Sequence, residues 1–305
     1  MTGARLTLGP LLFHWPVEQR LAFYARIADE AAIDTVYLGE VICSKRTPFF
    51  EEHVEPVAER LERGGKTVVL SSLCEVMLKR ERSMIEEHCA YSRREIEIND
   101  SSALLHVSGR PHRLGQFMNV YNEVTLRYLA ERGATHLCVP AELPGNAVAV
   151  LAKCAAGLGV GLEVQVYGRT PLAVSARCYH ARAHGRTKDN CLFVCENDPD
   201  GMPLHTIDGR PFLAVNGIQT LSHTCTDLTS DLDDVLAAGV THLRLTPHSH
   251  DMVAVASIFR DRLNGRIDGT DACRRLSELN GGIPLANGFW HCRAGHYSVK
   301  ERMPG

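Results

Sequence analysis

The chain has 305 residues, 45% hydrophobic and 23% charged, with a formal net charge of -3. That balance belongs to a globular protein and excludes a disordered or fibrous chain, while the slight acidity gives no attraction to phosphate backbones and argues against nucleic acid as a partner. The longest apolar stretch, 146–162, is interrupted by Lys153 and glycines and is too short to cross a bilayer, so no membrane span is expected.

The first residues run into a strand-like segment, Leu6–Leu8, without the apolar core of an export signal, which points to the cytoplasm. In that reducing compartment eleven cysteines suggest metal binding or core burial rather than disulfides. Val17, Leu21, Tyr24, Ala28 and Ala31 recur at helical spacing and lead through a turn into Thr35–Leu38, a helix followed by a strand. The same design returns at 132–139 and 238–245, an internal repeat. Gly64-Gly65-Lys66-Thr67 is not read as a phosphate loop, because the earlier glycine is Arg60 and a strand follows where a helix should.

Further β-rich runs lie at Thr67–Ser71, Glu95–Ile98, Phe117–Val120 and Leu162–Val166. Asn122 stands where it can cap a helix carrying Val124, Tyr128 and Leu129 on its apolar face. Eight strands separated mostly by helices predict an α/β fold, a (β/α)8 TIM-like barrel, with an open doubly wound sheet as the competing arrangement. The expected organisation is one barrel-like domain over 1–305. Within it, 177–217, where the alternation lapses after the seventh strand, forms an elaborated cysteine-bearing loop.

That loop holds Cys178, Cys191 and Cys195 among Arg177, His180, Arg182, His184, Arg186 and Lys188. Cationic neighbours suit an anionic cluster of thiolates. Cys43, just beyond the second strand and followed by Lys45 and Arg46, is the best fourth ligand, since barrel loops of this kind share one face. A [4Fe–4S] cluster on these four is the favoured reading. Four-cysteine zinc competes, although no Cys-x2-Cys knuckle occurs, and unrelated thiols remain a third possibility. Cys74, Cys89, Cys138, Cys154, Cys225, Cys273 and Cys292 read mostly as small hydrophobes. At the mouth, Glu40, Glu142, His248 and His250 are expected to fix loops before they catalyse, and so is Asn119; no catalytic residue is identified. The segment Trp290–His296 is either a second small site or surface.

The runs Tyr37–Arg46, Gly168–Ala173, Arg177-Cys178-Tyr179, Cys191-x3-Cys195-Glu196 and Asn287–His291 resemble the U32 peptidase-related family over almost the whole chain. The resemblance implies that Cys43, Cys178, Cys191 and Cys195 ligate a [4Fe–4S] cluster. It also implies a heterodimer with a UbiU-like protein, a second cluster-bearing member, that hydroxylates ubiquinone precursors without O2. An organic oxygen donor, with prephenate suggested by analogy, completes the implied chemistry. Two alternatives accompany it: a non-catalytic electron-transfer or stabilising subunit, and an RNA-base hydroxylase, which the acidic balance disfavours. Peptidase chemistry finds no support, because neither a H-E-x-x-H helix nor a G-x-S-x-G elbow is present.

Overall fold

Short strands with apolar residues on one phase and polar residues on the other build this protein, and the two phases face opposite ways. The computed structural model describes residues 3–91, 93–107 and 109–299. Seven strands come first: β1 (Arg5–Leu8), β2 (Thr35–Leu38), β3 (Thr67–Ser71), β4 (Glu95–Ile98), β5 (His112–Leu114), β6 (Ala134–Cys138) and β7 (Gly161–Val174). Then follow β8 (Met202–His205), β9 (Pro211–Asn216), β10 (Gln219–Asp227), β11 (His242–Leu245) and β12 (Leu285–Ala286). β1 to β7 pair in sequence order and in parallel, and β11 closes the ring by lying parallel to both β7 and β1, with His242 opposite Glu163 and Arg5. The result is a closed eight-stranded parallel barrel with helices between its strands, the expected TIM-like fold.

Leu6, Leu8, Val36, Leu38, Ile96, Ile98, Leu162 and Val164 point outward and form one core with the surrounding helices. The alternate residues line a lumen that is charged. Arg244 donates to Glu97 at 2.6 Å and to Glu163 at 2.7 Å, Tyr37 donates to Glu163 at 3.1 Å, and Arg113 reaches the Tyr37 hydroxyl at 3.0 Å. Burial alone would raise the Glu163 carboxyl, yet Arg244 and His136 hold it well below the usual carboxylate range. Low dielectric makes such a network strong only while every member is present.

The polar lumen explains one correction. The fifth strand is His112–Leu114 and not Phe117–Val120. His112 and Arg113 look like loop residues but are buried, Arg113 in the lumen against Tyr37 and Glu95 and His112 on the opposite phase beside Arg110 O, whereas Phe117 lies in a 3-10 turn that ends on left-handed Asn119 (φ 54°). A second correction concerns the helix Glu123–Ala130: its buried face is Leu126 and Leu129, while Val124 and Tyr128, one turn apart, are solvent-exposed. Asn122 does cap it, accepting from Thr125 N at 2.9 Å. The turn at Gly64–Lys66 joins a helix to β3, with Lys66 Nζ on Ala31 O at 2.6 Å, and carries no phosphate-loop geometry.

β7 is much longer than its expected core, Leu162–Val166. Its first half belongs to the barrel. Past Gly168 (φ 110°), where a Cβ would press on Thr246, it leaves the barrel and pairs antiparallel with β10, which continues to β9 and β8. The segment 177–217 is therefore more ordered than a loop: it contains a short helix at Tyr179–Ala183, a 3-10 turn at Val194–Asn197 and the β8–β9 hairpin. The tail is docked as well, with Asn287 and His291 both bonded to Asp231, at 2.9 and 2.8 Å, and Gly145 N donating to Trp290 O. No helix among the described residues is long and apolar enough to cross a membrane.

Replacing Arg244 with Met strands Glu97 and Glu163 as buried, uncompensated carboxylates, and the expected loss is about 3–5 kcal/mol of folding stability. Urea denaturation of Arg244→Met against the unaltered chain measures it, and a loss within about 0.5 kcal/mol, as for a surface change, would mean that the lumen network does not support the barrel.

Candidate metal centre

The loops that follow barrel strands at their C-terminal ends carry the chemistry of this fold, and the cysteines of interest lie there. Cys43 follows β2 and begins a 3-10 turn, Ser44–Phe49, in which Arg46 N donates to Cys43 O at 2.8 Å. Glu40 shapes this loop by accepting from the amides of Ile42 and Cys43 at 3.0 and 3.1 Å, the loop-fixing role expected of it. Cys178 precedes the helix Tyr179–Ala183 and accepts from Ala181 N at 3.3 Å.

Cys191 and Cys195 flank two consecutive left-handed residues, Leu192 (φ 46°) and Phe193 (φ 51°). Left-handed geometry in side-chain-bearing residues costs of order 1–3 kcal/mol each and persists where surroundings over-determine it. The surroundings here are Lys45, whose ammonium donates to the carbonyls of Lys188 and Asp189 at 2.7 and 3.0 Å and lies 3.8 Å from Cys191 Sγ, and Phe49, which packs edge-on against Phe193.

Cys43, Cys178, Cys191 and Cys195 line one small cavity together with Lys45, Arg46, Lys188, Phe193 and Ile218. No carboxylate or imidazole is among its lining residues. Burial pushes the thiols of Cys43, Cys178 and Cys195 up, and Arg46 pulls each back down. Arg46 is itself fully enclosed, donating to Leu12 O at 3.2 Å and Asn216 Oδ1 at 2.7 Å; burial would weaken its charge, but Cys195, Glu40 and Cys43 more than restore it.

An all-cysteine donor set walled by cations fits an anionic iron–sulfur cluster. Among the described residues no three His, Cys, Asp or Glu side chains converge on a point that would hold one metal ion. Tetrahedral zinc needs sulfurs about 3.8 Å apart, from Zn–S bonds of about 2.3 Å, whereas a cubane spreads its thiolates over four irons. The cavity between the thiols is small, about 20 Å³, and it is the cationic wall of Lys45, Arg46 and Lys188 that favours the anionic cluster.

The other cysteines divide. Cys89, Cys138, Cys154 and Cys225 are buried, Cys292 is exposed, and Cys74 packs against the same apolar cluster as Cys43, Cys178 and Cys191. Cys74 also borders a cavity of about 240 Å³ at the barrel mouth with Gln116, Asn119, Tyr121, Glu142 and Leu172. Glu142 there accepts from the Tyr121 hydroxyl. His248 is enclosed and held neutral by burial, its pKa near 4, with Nε2 3.7 Å from Cys225 Sγ; His250 bonds the Tyr167 hydroxyl at 2.7 Å. These histidines fix the strand-end loop and do not reach the four-thiol cavity. Two side chains escaped the sequence reading. Arg46 was visible only as a basic neighbour of Cys43, and Arg20 carries a charge on the buried phase of its helix, one turn before Tyr24, which is the signal that could have found it.

A closed (β/α)8 barrel with a thiol-lined cavity on its C-terminal loops defines the class of protein. The chain belongs to peptidase family U32, whose sequence pattern matches residues 22–280. Among solved structures it is similar to phospho-2-dehydro-3-deoxyheptonate aldolase from Thermotoga maritima, at 13% identity and a TM-score of 0.41, over 93% of this chain and 71% of that one.

The hairpin beside the site must hold glycine at 217, where φ is +65° and a Cβ would fall 2.4 Å from Arg46 Nη2. Gly209 (φ +79°) has open space around it. Gly209→Ala should cost about 1 kcal/mol for its backbone alone, and Gly217→Ala clearly more, with a lower melting temperature. Equal losses would show that Arg46 is not held as described.

Proposed function

We propose that this chain is the [4Fe–4S] subunit, of the UbiV type, of an O2-independent hydroxylase acting on ubiquinone precursors with a UbiU-like partner. The observation that carries the proposal is the four-cysteine cavity walled by Lys45, Arg46 and Lys188 in a chain of family U32. Cys43, Cys178, Cys191 and Cys195 would hold the cluster, which when bound supplies electron transfer or a Lewis-acidic iron.

The chain's own residues do the rest. Arg46 and Lys45 offset the thiolate charge, and the apolar walls formed by Ile218, Phe193 and Val194 limit water at the thiols. The mouth cavity beside Cys74, about 240 Å³, would receive the ring of the precursor. An organic acid such as prephenate would serve as the oxygen donor, its carboxylates suited to the arginines and lysines of these loops.

Cys191→Ala should remove most of the iron while the barrel stays folded, because its thiol supports no strand or helix. Loss of the gene should lower ubiquinone only in cells grown without oxygen, and the Cys191→Ala gene should fail to restore it. A variant that keeps full iron contradicts the ligand assignment; quinone levels unaffected by the deletion under anoxia contradict the pathway even if the cluster stands.

A further inference from the structure

Arg20 is buried inside the protein, only 3% exposed, and its Nε finds no acceptor. Its side chain makes no hydrogen bond or ion pair among the described residues; the guanidinium lies 3.9 Å over the ring of Phe50. Burial lowers its pKa, with Tyr24 and Glu40 opposing that trend and Arg46 adding to it. A buried cation is costly, by several kcal/mol; the Phe50 face and the charge of Glu40 offset part of that cost, but among the described residues no acceptor meets its N–H groups.

Arg20 borders a cavity of about 220 Å³ between the ends of β2 and β3 and the helices Glu51–Arg63 and Lys79–Ala90. The Oγ1 of Thr47, also without a partner, is on the same wall. Leu38, Phe50, Val54, Leu70 and Met84 supply an apolar lining. The charged groups facing the cavity are Arg20, Arg46 and Glu40 at its inner end and Glu51 and Glu87 at its exposed rim; His88, its pKa pushed by burial to about 4, is neutral and bonds Leu70 O at 3.2 Å. Glu40 is committed to the amides of Ile42 and Cys43. The inner end thus presents an excess positive charge and a free hydroxyl above an apolar floor.

We propose that this cavity binds a small organic carboxylate with an apolar body, its carboxylate on Arg20 and Thr47 and its body against Phe50 and Leu70. The planar guanidinium matches a carboxylate bidentately, and the apolar lining selects against a bare inorganic anion. The inference rests on Arg20 and its cavity alone and holds whatever metal the cysteines take. Arg46 lines both this cavity and the four-thiol cavity, so the bound acid would sit one side chain away from the cysteines.

Isothermal titration of the whole protein with benzoate, and with benzamide as the uncharged analogue, tests the site. Benzoate is expected to bind saturably and benzamide at least tenfold more weakly. Arg20→Met should lose at least tenfold in benzoate affinity while melting at the same or a higher temperature than the unaltered chain, and Arg20→Lys should recover part of the binding. Absence of benzoate binding, equal binding of benzamide, or a lowered melting temperature in Arg20→Met would overturn the proposal, the last by making Arg20 a structural residue. Should Arg20→Met not fold, which also counts against it, Thr47→Val provides an independent reading: severalfold weaker benzoate binding is expected, and unchanged affinity would contradict the placement.

Discussion

The buried guanidinium of Arg46 is the constraint on which the functional end of this protein depends. It is fully enclosed, yet it holds its charge through Cys195, Glu40 and Cys43 and spends its hydrogens on Leu12 O and Asn216 Oδ1. Those partners come from four separate stretches, the loop after β1, the loop after β2, the turn Val194–Asn197 and the β9–β10 hairpin. An enclosed cation cannot be left unmatched without a cost of several kcal/mol, so the loops are held in one mutual arrangement, and the cysteines they carry are brought to one cavity as a consequence. Gly217 is the complementary requirement, since any larger residue would occupy the space Arg46 needs.

Stability and chemistry are separated along the barrel axis. The Arg244, Glu97, Glu163 and Tyr37 network fills the lumen and pairs the guanidinium with both carboxylates, which suits a structural role. The C-terminal loops instead keep strained backbone at Leu192 and Phe193 and thiols shifted by burial, and the helix beside them carries Arg20, whose buried Nε has no acceptor. Strain and unmatched polarity of this kind persist where function needs them. The antiparallel extension of β7 through β10, β9 and β8 forms the scaffold beside the cysteines, and it puts Gly217 and Ile218 against them.

Much of this was legible in the sequence because the barrel's outward faces obey a simple alternation. Seven of the eight barrel strands lie where apolar runs predict them. The fifth was hidden because Arg113 faces a charged lumen and its neighbour His112 is buried as well, which inverts the usual link between polarity and exposure. The helix after Asn122 was recognisable from its cap but not from its face, since an eight-residue helix offers too few turns to separate Val124 and Tyr128 from Leu126 and Leu129. The four cysteines could be singled out because they stand among basic residues and not on an apolar phase. The extension of β7 past Gly168 was invisible, because nothing local distinguishes a strand that ends from one that changes partners. Arg46 and Arg20 were equally hard to weigh, as burial of a charge is decided by distant chain.

The central claim is that Cys43, Cys178, Cys191 and Cys195 hold one [4Fe–4S] cluster. Iron, sulfide and zinc determined per chain, with a visible spectrum, on protein purified without oxygen tests it most directly. The account predicts about four irons and four sulfides per chain with the broad absorption of a cubane, and no zinc; stoichiometric zinc without sulfide would contradict it and make the cavity a structural metal site.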